Sequence, residues 1–205
     1  MKTHRRLLSR LIVIALSSVL IGCGTPAQPL SQSGQPAFTP AVTRQPSTVS
    51  AGATGFTLTS PDVTEGGMLP VEHTCDGASS TLALAWSGAP AGTKSYAVTM
   101  HHITSPMDIH WYWEVYDIPT NVTSLPKNVV GVGKLGTNRV NGKQAYTPPC
   151  SKGPEPKEYT YTVYALSAEP QFSVPASQVN RAVLLDAIKD ITLDSAELHV
   201  IYSRK

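Results

Sequence analysis

The sequence predicts a mostly β domain with a single helix near its C-terminal end. From Phe56 onward, short runs of alternating apolar and polar residues are separated by Gly, Pro, Asn and Asp, which is typical of half-buried strands joined by turns. One later segment departs from this pattern, because its apolar residues recur at helical spacing. The roughly 150 residues of this region suffice for one domain with a hydrophobic core.

Six strands are predicted at the clearest alternating runs, which are 56–59, 82–86, 95–102, 110–116, 159–166 and 196–202. The last of these places alternate apolar residues on one face, namely Ala196, Leu198, Val200 and Tyr202. The helix is predicted after Pro175, on the apolar residues Val179, Ala182, Val183, Leu184, Ala187, Ile188 and Ile191.

A long irregular stretch, residues 125–156, contains five glycines and five prolines. Loops of this length inside a compact domain are commonly functional. We therefore expect a functional site near this stretch.

The N-terminal region has the features of a secretory signal: a basic start, an apolar run at 11–21 and small residues at its end. A transmembrane helix needs about 20 apolar residues, so this run is too short for a permanent membrane span. The run ends in Leu20-Ile21-Gly22-Cys23, which resembles the bacterial lipobox, whose cysteine is acylated and becomes the first residue. The alternative is an ordinary signal that ends near a cysteine. Stable attachment needs more than one acyl chain, as is typical of bacterial lipoproteins.

These features predict a lipoprotein signal peptide at 1–22, a flexible tether at 23–54 and a folded β domain at 55–205. The tether is rich in Pro, Ser and Gln, and Arg44 is its only charged residue, so it buries too little apolar surface to fold. We expect lipid on Cys23 to hold the domain in a bacterial envelope, facing the periplasm or the exterior. Gly24 is not acidic, which favours an outer membrane in an organism that has two.

The charge and the cysteines exclude some classes of protein. The net charge is only +2, so the footprint of a nucleic-acid-binding protein is absent. Export permits a disulfide between Cys75 and Cys150, and two reduced, buried thiols are the alternative. Neither cysteine belongs to a Cys-x-x-Cys motif.

Three histidines lie close together in sequence, at His101, His102 and His110. Period-two alternation places His101 and His102 on opposite faces of their strand. On the next strand it places His110 with Tyr112, Glu114 and Tyr116, opposite Trp111 and Trp113. The common catalytic motifs and phosphate-binding loops are absent, so we expect neither enzymatic activity nor a cofactor.

The chain resembles the phosphatidylethanolamine-binding protein family, in its bacterial Raf-kinase-inhibitor-like branch, from about residue 56 to residue 203. The resemblance rests on the order and spacing of short motifs: Thr74-Cys75-Asp76-Gly77, Leu84-Ala85-Trp86, His110-Trp111, Ile118-Pro119, Gly136-Thr137-Asn138, Pro149-Cys150, Tyr159 and Val163-Tyr164-Ala165-Leu166. It implies a β-sandwich of two sheets with a C-terminal helix. It also implies a small pocket that binds phosphate-like anions, in a family whose members mostly bind rather than catalyse.

The resemblance carries three pocket positions over to this chain: His110, Tyr159 and the loop around Pro149. Two other pocket motifs differ. The family's acidic turn is replaced by His102-Ile103-Thr104-Ser105-Pro106, and Lys157 stands where the family has histidine. We therefore predict a more cationic pocket, in which Lys157 supplies charge and His102, His110 and Tyr159 supply hydrogen bonds. The alternative is a degenerate pocket with Lys157 in solvent.

These residues favour a membrane-anchored protein that binds phosphate-like or carboxylate anions, with phospholipid head groups among the candidates. The alternative is a protein-interaction or protease-inhibitor module whose partner is another envelope protein. A metal site at His102 and His110, with His73 or His101, lacks any known ligand spacing, so we predict no bound metal.

Overall fold

The computed structural model describes residues 55–204. The predictions for 1–22, for Cys23 and for 23–54 lie outside these residues. In chain order the described elements are β1 (Thr57–Thr59), β2 (Gly67–Met68), a 3-10 turn (Val71–His73), β3 (Leu84–Ser87), β4 (Ser95–Ser105), β5 (Asp108–Pro119), β6 (Ser124–Leu125), β7 (Lys134–Leu135), β8 (Lys157–Leu166), a second 3-10 turn (Ala176–Gln178), α1 (Arg181–Ile188) and β9 (Thr192–Tyr202).

The strands form two sheets, which confirms the predicted mostly β fold. The smaller sheet has the order β1-β3-β6, and the larger one has the order β2-β9-β8-β4-β5-β7. All pairs are antiparallel except β2 with β9. All six predicted strands are present, and the three longest extend several residues beyond their predicted ends because they continue to the rim of the sheet.

One face of the larger sheet contributes most of the main hydrophobic core, together with residues of the smaller sheet such as Leu84 and Trp86. The prediction for the last strand is confirmed, because its four alternate apolar residues are all buried in this core. Trp86 and Tyr96 meet edge to face across it, with ring centroids 5.3 Å apart. Aromatic pairs of this kind add to the stability gained from burial alone.

The opposite face of the larger sheet is covered by α1. Asn180 caps the helix by accepting a hydrogen bond from the backbone N–H of Val183, as expected of an asparagine at this position. Leu184 and Ile188 are buried against this face. The helix is shorter than predicted, since Val179 precedes it and Ile191 follows it, although both still pack in the same cluster. No helix within residues 55–204 is long and apolar enough to cross a membrane.

A β-bulge in β5 changes which of its residues share a face. Met100 pairs with Trp113 and His101 pairs with Trp111, so Tyr112 has no directly opposed residue on β4. An extra residue of this kind reverses the alternation on either side of it.

The prediction that His110, Tyr112, Glu114 and Tyr116 share a face is therefore wrong. Tyr112 and Trp113 both belong to the main core, whereas Tyr116 packs in the cluster under α1. Glu114 also faces that side. Gly136 lies between the Cβ of Glu114 and the carbonyl oxygen of Val179, which belongs to the cluster under α1, so closely that a side chain at position 136 would collide with both. The bulge leaves His110 and Tyr112 side by side at one end of the sheet.

Candidate anion-binding site

A cavity of about 510 Å³ lies at the end of the larger sheet where β4, β5 and β8 meet the irregular segment 136–156. The strands contribute His102, Thr104, His110, Tyr112 and Lys157 to its wall. The irregular segment contributes Arg139, Val140, Thr147, Pro148, Cys150 and Lys152, and Cys75 completes the wall. The long irregular stretch therefore lies beside the cavity, as the sequence led us to expect.

The two predicted histidines of the cavity are cross-strand neighbours, because His102 pairs directly with His110. The Nδ1–H of His102 donates a hydrogen bond to the carbonyl oxygen of Glu158 over 2.7 Å. The Nε2–H of His110 donates to Oδ2 of Asp108 over 3.0 Å. One ring nitrogen of each histidine therefore remains available to a ligand. It can accept a hydrogen bond when the imidazole is neutral and can donate one when the imidazole is protonated.

Asp108 places a carboxylate at the edge of the cavity, although the acidic turn of the family is replaced in this sequence. Its second carboxylate oxygen pairs with Nη1 of Arg139 at 2.7 Å. The hydrogen bond from His110, with Arg139 beside it, lowers the pKa of the Asp108 carboxyl. Asp108 lies two residues before His110 on one strand, so period-two alternation could have identified it.

Arg139 joins the irregular segment to the β4–β5 hairpin and was missed by the sequence analysis. Its Nη1 also donates to the carbonyl oxygen of Ile109 over 2.7 Å, and its guanidinium lies over the ring of Trp111, 5.4 Å from the centroid. Only its position directly after Gly136-Thr137-Asn138, one of the motifs of the family resemblance, could have pointed to it.

Two lysines supply the remaining positive charge. Lys157 lies in the wall of the cavity, as does Lys152, which was not predicted. Within residues 55–204 neither amine has an ion-pair partner, whereas Arg139 is paired with Asp108. The cavity wall therefore contains two lysines that have no ion-pair partner among residues 55–204.

Tyr159 and Pro149 lie behind the cavity wall rather than in it. The Tyr159 ring is buried, 5.2 Å from the ring of His102 and 5.4 Å from that of Tyr112. Burial raises the pKa of its phenol above the ordinary value, and burial does the same for Tyr112, so both hydroxyls stay protonated at neutral pH. Pro149 is buried and its carbonyl oxygen accepts a hydrogen bond from the backbone N–H of Cys75.

The irregular segment is held in place by a buried amide and a disulfide. The Asn138 side chain is 1% exposed, and its amide nitrogen lies 2.9 Å from the carbonyl oxygen of Lys143 and 3.1 Å from that of Ala145. Cys75 and Cys150, for which the sequence allowed either a bridge or two thiols, are joined with a Cα–Cα distance of 5.3 Å. Together these contacts fix the loop that positions Arg139 and Lys152.

The other histidines considered for a metal site lie elsewhere. His101 is buried on the opposite face of β4, where burial, with Arg181 nearby, lowers its pKa to about 4. His73 is fully buried in the first 3-10 turn, with Nδ1 3.2 Å from the carbonyl oxygen of Ser80. No group of three or more His, Cys, Asp or Glu residues within 55–204 is arranged to hold a metal ion.

Comparison with known proteins agrees with this fold. A family model described as phosphatidylethanolamine-binding protein matches residues 59–203. Escherichia coli YbcL is 32% identical in an alignment 178 positions long, gaps included, that covers 77% of this chain and 93% of YbcL. The match to its crystal structure, described as that of a new member of the mammalian PEBP family, has a TM-score of 0.65 and covers 74% of this chain and 99% of the crystallised chain, at 28% identity. LppC of Mycobacterium tuberculosis, named as a candidate lipoprotein, is 28% identical over 82% of this chain and 84% of LppC.

Proposed function

Because the chain belongs to the phosphatidylethanolamine-binding protein family, we propose that it binds small molecules or head groups through a phosphate or carboxylate, without catalysis. The observation that carries this proposal is the meeting of Lys152, Lys157 and Arg139 with His102 and His110 in one cavity. A volume of about 510 Å³ falls within the range of small-ligand sites, about 300 to 1,000 Å³.

The charges of the cavity favour an anion over a neutral ligand. Lysine offers a compact point charge with three donors, and hydrogen bonds to an ionised partner are roughly twice as strong as neutral ones. The phenol of Tyr112 and the hydroxyls of Thr104 and Thr147 add neutral donors that suit several oxygens on one phosphorus or carbon.

The N-terminal sequence supports a place for this binding in the cell envelope. The run before Cys23 has the form of a lipoprotein signal, and the similar protein LppC is named as a candidate lipoprotein. We propose that lipid on Cys23 anchors the chain to a membrane, the outer one in an organism that has two. An anchored chain meets the molecules of the cell envelope, so the ligand would be an envelope molecule.

Replacing Lys157 by alanine is expected to weaken the binding of glycerol phosphate by about tenfold or more, because one charge-assisted hydrogen bond contributes about 1.5 to 3 kcal/mol. Isothermal titration calorimetry of the purified chain measures this. Lys94→Ala is the matched control, since Lys94 is exposed and precedes β4 at the opposite end of that strand from the cavity. It should leave the affinity unchanged.

An absence of glycerol phosphate binding, or equal affinity in the Lys157→Ala variant and the parent chain, would contradict the proposal. It would favour the alternative of a protein-interaction module with a degenerate pocket. Recovery of a specific envelope protein with the anchored chain would then identify that function.

A further inference from the structure

The two histidines of the cavity wall are held by partners that can only accept hydrogen bonds. His102 Nδ1 lies 2.7 Å from the carbonyl oxygen of Glu158, and His110 Nε2 lies 3.0 Å from Oδ2 of Asp108. Each of these ring nitrogens must therefore carry a proton. In a neutral imidazole the other nitrogen, Nε2 of His102 or Nδ1 of His110, then bears a lone pair.

A nitrogen with a lone pair is a poor partner for an anion. The oxygens of an ionised phosphate or carboxylate only accept hydrogen bonds, so the remaining nitrogen of a neutral imidazole gives them no bond. A protonated imidazole presents an N–H at the same place, and a hydrogen bond between charged groups is roughly twice as strong as one between neutral groups. An anion in this cavity is therefore bound more tightly when a histidine of the wall is protonated.

The charge of a protonated His102 remains available to a ligand, whereas that of His110 does not. The imidazole of His110 contacts the Asp108 carboxylate, which compensates its charge when it is protonated. The other oxygen of this carboxylate is bonded to Arg139, so both of its oxygens have partners. His102 bonds instead to an uncharged carbonyl oxygen, and no ion pair within residues 55–204 includes it.

The strands beside His102 supply a cation but no acid to its side of the sheet. Lys157 of β8 lies in the cavity wall with His102, whereas the side chain of Glu158 lies on the opposite face of β8, because successive side chains of a strand alternate. His101 likewise lies on the opposite face of β4. Tyr159, whose ring centroid lies 5.2 Å from that of His102, keeps a neutral phenol because burial raises its pKa.

The remaining titratable groups near the cavity do not compensate His102 either. Burial raises the pKa of the Tyr112 phenol, so it stays neutral. The irregular segment adds Lys152 to the wall, while Glu155 of the same segment is exposed and is not part of the wall. An anion held among Lys152, Lys157 and His102 is therefore the group that stabilises a positive charge on His102.

We propose that His102 takes up a proton from water when an anion enters the cavity, so that anion binding is proton-coupled and strengthens in mild acid. The inference rests on the proposed function, because it requires an anion in the cavity, and it adds how that binding is regulated. Since the ligand favours the protonated imidazole, linkage requires that its affinity rises as the pH falls. Histidine is the side chain that ordinarily titrates between about pH 5 and pH 8, so the domain holds its ligand at the acidic end of this range and releases it at the alkaline end.

The test compares the purified parent chain with its His102→Lys variant by calorimetric titration with glycerol phosphate. A lysine keeps its charge at both ends of the histidine range, so the affinity of the parent relative to this variant should fall about tenfold from about pH 5 to pH 8, through the loss of one charge-assisted hydrogen bond. Glycerol phosphate itself titrates at about pH 6, which affects both chains equally. His199→Gln is the matched control and should behave like the parent, because it removes a histidine that is paired with Glu65 and is not part of the cavity wall.

A second readout is the number of protons taken up with each ligand, which is measured from the binding enthalpy in buffers of different ionisation enthalpy. The parent should take up more protons than His102→Gln, and this comparison decides the matter if the lysine variant does not bind or does not fold. Equal proton uptake in these two chains, or a pH-independent affinity ratio between the parent and His102→Lys, overturns the proton coupling and leaves the proposed function standing. No binding of glycerol phosphate by the parent at either pH contradicts the proposed function, and this inference with it.

Discussion

Replacing Cys75 and Cys150 together by serine is expected to lower the free energy of unfolding by about 4 kcal/mol, according to the chain-entropy relation for a closed loop. The two residues are 75 positions apart, so the bridge removes much of the freedom of the unfolded chain. Denaturation in urea, compared for the variant and the parent chain, measures the difference. We also expect weaker glycerol phosphate binding, because both cysteines lie in the cavity wall.

Reduction of the parent chain provides the matching control for this substitution. The reduced parent and the double serine variant should unfold at similar urea concentrations, since both lack the same constraint. A difference of less than about 1 kcal/mol between the oxidised and reduced parent chains would contradict the assigned role of the bridge.

Replacing Glu114 by glutamine is expected to make the chain more stable at alkaline pH relative to its parent. Glu114 is 0% exposed, and neither carboxyl oxygen has a hydrogen-bond partner within residues 55–204. Burial raises its pKa to about 8, although the positive charge of Arg181 acts in the opposite direction. A raised carboxyl pKa gives stability that is fully present below the unfolded pKa and is lost as the pH rises through the folded pKa.

The stability of the parent relative to Glu114→Gln should therefore fall by about 5 kcal/mol in total from the unfolded carboxyl pKa to just above pH 8, at about 1.4 kcal/mol per pH unit. Urea denaturation at several pH values tests this slope. A change in stability that the amide causes equally at every pH does not alter this slope. The titration of His101 does not alter it either, because both chains retain that residue. Parallel stability curves for the two chains would contradict a buried, protonated Glu114.

The fold was predictable because strand alternation and helical spacing are local properties of the sequence. The pattern at Ala196, Leu198, Val200 and Tyr202 is one example, and all four side chains are buried. The face assignment in β5 failed at Tyr112, because a bulge depends on pairing with β4 rather than on the strand's own residues.

The site was predictable only in part, for a similar reason. His102, His110 and Lys157 were identified from a resemblance in motifs, and all three lie in the cavity wall. Arg139 and Lys152 belong to an irregular segment whose path is set by Asn138 and the Cys75–Cys150 bridge. No local periodicity predicts where the side chains of such a segment will lie.

The most direct test of the proposed function is a crystal structure of residues 55–205 determined with glycerol phosphate. Both sheets, the helix and the disulfide lie within residues 55–204, so this fragment retains the whole cavity. We expect a phosphate group within hydrogen-bond distance of the Lys157 amine, beside the imidazoles of His102 and His110. Glycerol phosphate bound elsewhere on the domain, with the cavity left to water at saturating ligand, would contradict it.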